Sequence, residues 1–415
     1  MEKSPEELYA ERTQRVEAAI RLQVPDRVPI MMRPGFFPAK YAGITCEDAF
    51  YDFGKWMAAV RKTILDFAPD MFHASAGNLP GGLLEVLDNK QIKWPGHGVP
   101  ANHTFQFVEG EYMKADEYDA FLDDPSDYVL RTLLPRNNGA LEALRMLPPL
   151  RSMMFGYGAL MSTRVLTRPE LTAAFEALGK AGREASRWQA ETGAFGTEMA
   201  GLGFPQSYTA VSTAPFDVIS DHLRGMRGSM LDMYRQPDNL LAACEKILPM
   251  SIERGVSAAK RSGNPRVFIP LHRGADGFMS SKQFEIFYWP TLKRLMLALI
   301  DEGLTPYPFF EGDYTSRLEY LLELPKGKVL GQFGQVDMAR VKEILGDTMC
   351  LRGNVPSSLL QTGTPQDVID YCKRLIDVAG KGGGFIMSHE SALDEVKPEN
   401  LKAMIDFTKE YGVYQ

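Results

Sequence analysis

The chain has 415 residues, 45% hydrophobic and 24% charged, an ordinary globular mixture able to bury a large core. Its net charge of −7, without any dense Lys/Arg block, argues against nucleic acid or anionic lipid as the main partner. No apolar run approaches the ~20 residues that span a bilayer, and Cys46, Cys244, Cys350 and Cys372 form no C-x-x-C pair, so reduced thiols in a cytoplasmic protein are expected.

In chain order, Ser4-Pro-Glu-Glu7 opens an N-terminal helix. Ser caps the free amides, Pro suits the first turn and Glu7 completes a capping box. The charged pattern runs to about Leu22 and lacks the apolar stretch of a secretory signal. Pro25-Asp-Arg-Val-Pro29 breaks it, and Val28–Met32 reads as the first strand. Further apolar runs at Asp70–His73, Arg266–His272, Thr305–Glu311, Lys328–Phe333, Thr348–Asn354 and Gly384–Ser388 lead into amphipathic helices. Strands alternating with helices indicate βαβ units and a parallel sheet. Asp88–Asp127 is irregular and rich in Gly, Pro and aromatics, which predicts a βα-loop insertion at about 75–127. Without linker composition or internal repeats, the expectation is a single α/β domain over 1–415. That pattern suits a TIM-type barrel with an N-terminal helix (1–24) and a long loop insertion over its mouth.

Chemistry in such a barrel sits at the C-terminal ends of the strands. That rule selects Arg33, His73, His272, Glu311, Asp313, Gln332, Asn354, His389 and Glu390. His272, Glu311 and His389 would project from three strand ends, and two His with one carboxylate suit zinc or iron(II) with an open position. Such a divalent metal would activate a bound water or polarise a substrate oxygen. The alternative is that each of the three hydrogen-bonds within the cleft. Glu311 and Asp313 flank Gly312, whose bend would let both face the cleft as an acid and a base beside His272; helix capping is the other use of Asp313. Arg33, His73, His97, Asn354 and Gln332 are candidate substrate contacts. His97 lies in the turn Trp94-Pro-Gly-His-Gly98, which is either part of a lid or a plain surface turn.

Several ordered motifs carry a family resemblance. They are Val24-Pro-Asp-Arg-Val-Pro-Ile30, Ala214-Pro-Phe-Asp-Val-Ile-Ser220, Ser280-Ser-Lys-Gln-Phe-Glu-Ile-Phe-Tyr-Trp-Pro290, Leu351-Arg-Gly-Asn-Val-Pro356 and Lys397-Pro-Glu-Asn-Leu-Lys-Ala-Met404. Together they resemble the uroporphyrinogen decarboxylase superfamily, which implies a (β/α)8 barrel, a homodimer, and a small-molecule substrate at the C-terminal face. The superfamily's decarboxylases carry a pattern similar to M-R-Q-A-G-R-Y after the first strand. Here Arg33 matches the first arginine and Phe37 occupies the second. The family's acidic residue after strand two falls near Ser75, and the tyrosine after A-P-W falls at Asp221. The cobalamin-linked methyltransferases bind zinc through H-x-C-G and a late Cys. The corresponding segment is Phe309-Phe-Glu311-Gly-Asp313-Tyr-Thr315, with Glu311 at the first Cys and Ser391 near the late one. That segment and the C-terminal third resemble the methyltransferase branch more. The expected function is therefore a methyltransferase or demethylase of a small methoxylated or methylated substrate, with a corrinoid protein or tetrahydrofolate as carrier. A decarboxylase of a smaller carboxylic acid held by Arg33 is the alternative.

Overall fold

The computed structural model describes residues 3–73 and 79–415. Its N-terminal helix, Pro5–Ile20, starts as the sequence predicts: Ser4 Oγ accepts from the Glu7 amide while the Glu7 carboxylate accepts from the Ser4 amide. The first strand, β1 (Met31–Met32), is shorter than expected. Pro25 and Pro29 carry no N–H, and the neighbouring amides are engaged elsewhere. Val28 donates to Gly412 O and Ile30 to Asp70 Oδ2. β1 pairs in parallel with β2 (Met71–Phe72).

The segment after β2 runs well past position 127. It holds a small sheet of β3 (Ile92–Pro95), β4 (Gly98–Val99) and β5 (Gln106–Phe107). Short helical turns follow, and then the 33-residue helix Pro169–Gly201. Leu141, Leu144, Leu147, Leu171 and Ala174 form a satellite core there, so the insertion packs on its own side chains.

The chain then builds a parallel sheet of six strands in the order β11-β10-β9-β8-β7-β6. These are β6 (Ala210–Val211), β7 (Arg266–Leu271), β8 (Thr305–Phe310), β9 (Leu330–Phe333), β10 (Cys350–Val355) and β11 (Phe385–His389). All but β6 coincide with apolar runs read from the sequence. The two-residue β6 sits in the polar run Gln206-Ser-Tyr-Thr-Ala-Val-Ser212 and has too little apolar periodicity to be seen. Parallel bridges Ile30↔Met387 and Phe72↔Gln206 connect the β1–β2 pair to both edges of this sheet. The result is a distorted, TIM-barrel-like α/β core.

Strand alternation sorts the side chains into layers. Met31, Met71, Tyr208, Phe268, Tyr307, Phe309, Leu330, Cys350 and Ile386 share one apolar cluster, with Val16, Ala19 and Ile20 of the N-terminal helix against it. At the N-terminal end of β2, buried Asp70 accepts from Arg15 at 2.6 Å and from Arg27 at 2.8 Å. Two residues further along each strand from the apolar layer, toward the C-terminal ends, come Arg33, His73, Gln332, Arg352 and Ser388. Among the described residues no helix is long and apolar enough to cross a membrane.

Candidate active site

Arg352 sits mid-strand on β10, where alternation puts it above Cys350 on the inner face. It is 2% exposed. Nη1 donates to Gln332 Oε1 and Nη2 to Ser388 Oγ, both at 2.7 Å. Its guanidinium lies 5.4 Å from the Tyr307 ring centre. Arg33, half-buried at the end of β1, lies over Phe268 and Phe309, at 5.4 and 5.8 Å. Burial, and then the neighbouring charge of Arg33, bring the Arg352 pKa down to about 9.

Two histidines flank these cations. His73 stacks on Tyr208 with ring centres 4.0 Å apart, and burial followed by Arg33 disfavours its charged form. His389 uses both ring nitrogens: Nε2 accepts from the Arg33 amide at 3.0 Å, and Nδ1 donates to Ser391 O. Burial and Arg352 lower its pKa to about 3. His389 therefore stays neutral and serves to position the backbone of Arg33.

A second cluster adjoins along β8, where Phe309 touches Arg33 and Glu311 reaches His272. His272 follows β7. Its Nδ1 meets Asp221 Oδ2 at 2.5 Å, and its Nε2 is 3.7 Å from Glu311 Oε2. Burial opposes charge on this ring. The Asp221 hydrogen bond and the charges of Asp217, Asp221 and Glu311 outweigh it and raise the pKa to about 9. His272 is thus an imidazolium at neutral pH. Asp221 itself is held below the usual carboxylate range: burial pushes it up, but the bond from His272 prevails. Asp217 is buried and accepts from the amides of His272 (3.1 Å) and Arg273 (3.0 Å) and from Tyr288 O–H (2.6 Å). Burial lifts its pKa to about 6. Asp217 fixes the main chain at His272, and Asp221 fixes the ring. Arg273 Nη2 also donates to Asp221, at 3.1 Å.

Of the remaining predicted residues, Gln332 lies beside Arg352 and the others are engaged elsewhere. Asp313 Oδ1 accepts from the amide and hydroxyl of Thr315, so it caps the following turn. Gly312, at φ +91°, makes the bend that turns Glu311 and Asp313 to different partners. Asn354 spends its amide on Gly334 O and Val336 O, both at 2.8 Å, and accepts from Tyr371 O–H. Gln332 accepts from Arg352 and Tyr307 and donates to Glu390 O. His97 stacks on Trp94 and pairs with Glu85 on the insertion, apart from both clusters. Ser75 lies outside the described residues. Phe37 is 1% exposed and packs on Tyr41 and Phe67, so that position is hydrophobic core.

His272 and Glu311 are brought together, whereas His389 spends its two ring nitrogens on the Arg33 amide and on Ser391 O. Among the described residues no group of three or more His, Cys, Asp or Glu is placed to hold a metal. Sequence reasoning missed Asp217, Asp221 and Arg352. The signals were present: Asp217 and Asp221 are four apart and share a helical face, and Arg352 interrupts an apolar strand.

The family described as Uroporphyrinogen decarboxylase (URO-D) matches residues 202–411, half of the chain. The chain belongs to this family. Matched relatives include the uroporphyrinogen decarboxylases of Syntrophotalea carbinolica, 27% identical over 42% of this chain and 49% of that protein, and of Chlorobium phaeovibrioides, 34% identical over 32% and 38%. The chain spans about half the length of the curated relatives it matches. A solved methyltransferase from Methanosarcina mazei is similar over 96% of this chain and 98% of its own, with TM-score 0.63 and 14% identity, a likeness of fold alone. The expectation of a methyltransferase or demethylase is thereby corrected. The family match and the sequence relatives are uroporphyrinogen decarboxylases, and a methyltransferase appears only through shared fold. The misreading came from Phe309–Thr315, whose likeness to the methyltransferase segment contained none of that branch's thiolates. A corrinoid or folate carrier followed only from that reading.

Proposed function

We propose that the protein is a carboxy-lyase of the uroporphyrinogen decarboxylase type, acting on a carboxylic acid smaller than a tetrapyrrole. The observation that carries this reading is the His272 imidazolium, held by Asp221 at the C-terminal end of the strands. Decarboxylation breaks the bond between the carboxylate carbon and its neighbour. CO2 departs, and the electron pair left on the neighbouring carbon takes a proton. His272 holds that proton at Nε2, and Asp221 stabilises the charged ring until transfer. Glu311, 54% exposed and next to Nε2, relays a proton from solvent to reload it. Arg33 anchors a carboxylate by charge and a forked hydrogen bond. The smaller substrate is supported by Phe37, which places core where the family pattern has its second arginine, and by Asp221, which stands where the family has a tyrosine. The bridges Ile30↔Met387 and Phe72↔Gln206 support closure of the eight strands as one (β/α)8 barrel, with both clusters at its mouth.

The test is CO2 release from a panel of pyrrole- and arene-acetic acids, with uroporphyrinogen III as a separate arm. Release from a small acid, abolished in His272→Gln with the fold retained by circular dichroism, is the expected result. Turnover that survives His272→Gln would remove the proton donor, and coproporphyrinogen formed from uroporphyrinogen III would refute the smaller substrate.

A further inference from the structure

Among the described residues five arginines are at most 5% exposed, and three of them, Arg15, Arg224 and Arg317, have a carboxylate at 2.6, 2.6 and 3.2 Å. Arg266 has none among the described residues, but gives Nε and Nη2 to the carbonyls of Ser207 and Gln206. Arg352 shares the lack of a carboxylate with Arg266 and differs from all four in its unpartnered buried Nε. Among the described residues it has no carboxylate in ion-pair range, its Nη atoms meet only neutral oxygens, and its buried Nε has no acceptor. A buried guanidinium without counter-charge is costly, and a second cation beside it raises that cost. The second cation is Arg33, which also has no carboxylate in ion-pair range among the described residues. The two share one aromatic floor, Arg352 on Tyr307 and Arg33 on Phe268 and Phe309; the Phe268 and Tyr307 ring centres are 5.2 Å apart. His73 and His389, both disfavoured as cations, add no charge, so the cluster carries two positive charges and no negative one.

We propose that Arg352 and Arg33 form a subsite for a dianionic, dicarboxylate arm of the substrate, one carboxylate completing the open donors of Arg352 and the other meeting Arg33 at the rim. The chain thus recovers on β10 the second cation that Phe37 removes after β1. The subsite rests on the decarboxylase reading only in assigning its ligand to the substrate, since binding is measurable without turnover. A dianion there cancels the buried charge, and two charge-assisted forks fix its orientation against His272.

The experiment is thermal unfolding and titration calorimetry of the full chain with malonate, succinate, acetate and inorganic phosphate. Malonate or succinate is expected to raise Tm well above the effect of acetate or phosphate. Arg352→Gln is expected to weaken dicarboxylate binding about 10- to 100-fold. The same variant should raise the Tm of the unliganded protein, because the uncompensated charge is gone; a merely structural arginine would lower it. Arg33→Gln, at a half-buried position, gives the same loss of binding and keeps the test valid should Arg352→Gln not fold. No shift with either dicarboxylate, equal shifts with acetate, or undiminished binding in both arginine variants would overturn the subsite. A phosphate shift matching the dicarboxylates would overturn the carboxylate assignment. His272→Gln should keep the dicarboxylate shift while losing CO2 release, which separates failure of the subsite from failure of the lyase reading.

Discussion

Asp221→Asn is the sharpest perturbation of the proton donor. It keeps the side-chain size and removes the charge that faces Nδ1 of His272 at 2.5 Å. The rise from the ordinary 6.5 to about 9 corresponds to about 3.5 kcal/mol at about 1.4 kcal/mol per pH unit. The ring is 34% exposed, so solvent screens this value, and Asp217 and Glu311 share in it. Asp221 is therefore expected to contribute about 1–2 kcal/mol, and its loss should move the His272 titration about one pH unit toward acid. The assay is an NMR titration of the labelled imidazole, with the pH profile of kcat/KM beside it. In the wild type the alkaline limb should fall near 9, because the imidazolium is the active form; in Asp221→Asn it should come at lower pH. Stability follows the same sign. A raised folded-state pKa contributes fully below the unfolded value of about 6.5 and is lost as pH rises through about 9. A wild-type ring titrating near 6.5, or one unmoved by Asp221→Asn, would refute the dyad.

Two other perturbations probe the frame around the site. Asp70→Asn leaves Arg15, whose side chain is 3% exposed, without its buried partner, and should destabilise the chain by about 3–5 kcal/mol in urea unfolding, with little change in the pH limb near 9. Gly35 lies at φ +57°, and a Cβ there would sit 1.9 Å from Leu393 O. Gly35→Ala should cost about 2–4 kcal/mol and raise KM by displacing the loop that carries Arg33, which a thermal melt and steady-state kinetics would show together.

Much of the frame was decided by local pattern. The capping box from Ser4 to Glu7 and five of the six strands in the large sheet follow from neighbouring residues alone, because hydrogen-bond geometry and side-chain alternation act over a few positions. The same alternation told which residues would reach the strand ends, and so selected Arg33, His272 and Glu311. Tertiary structure decided what each of them meets. Asp221 reaches His272 across the gap between a helix and a strand far apart in the chain. Arg33 and Arg352 are brought together from β1 and β10, and His389 is consumed in holding a backbone amide. Whether a strand-end side chain is a proton donor, a cap or a positioning group depends on the charge and burial that distant segments bring to it, and periodicity carries no record of those.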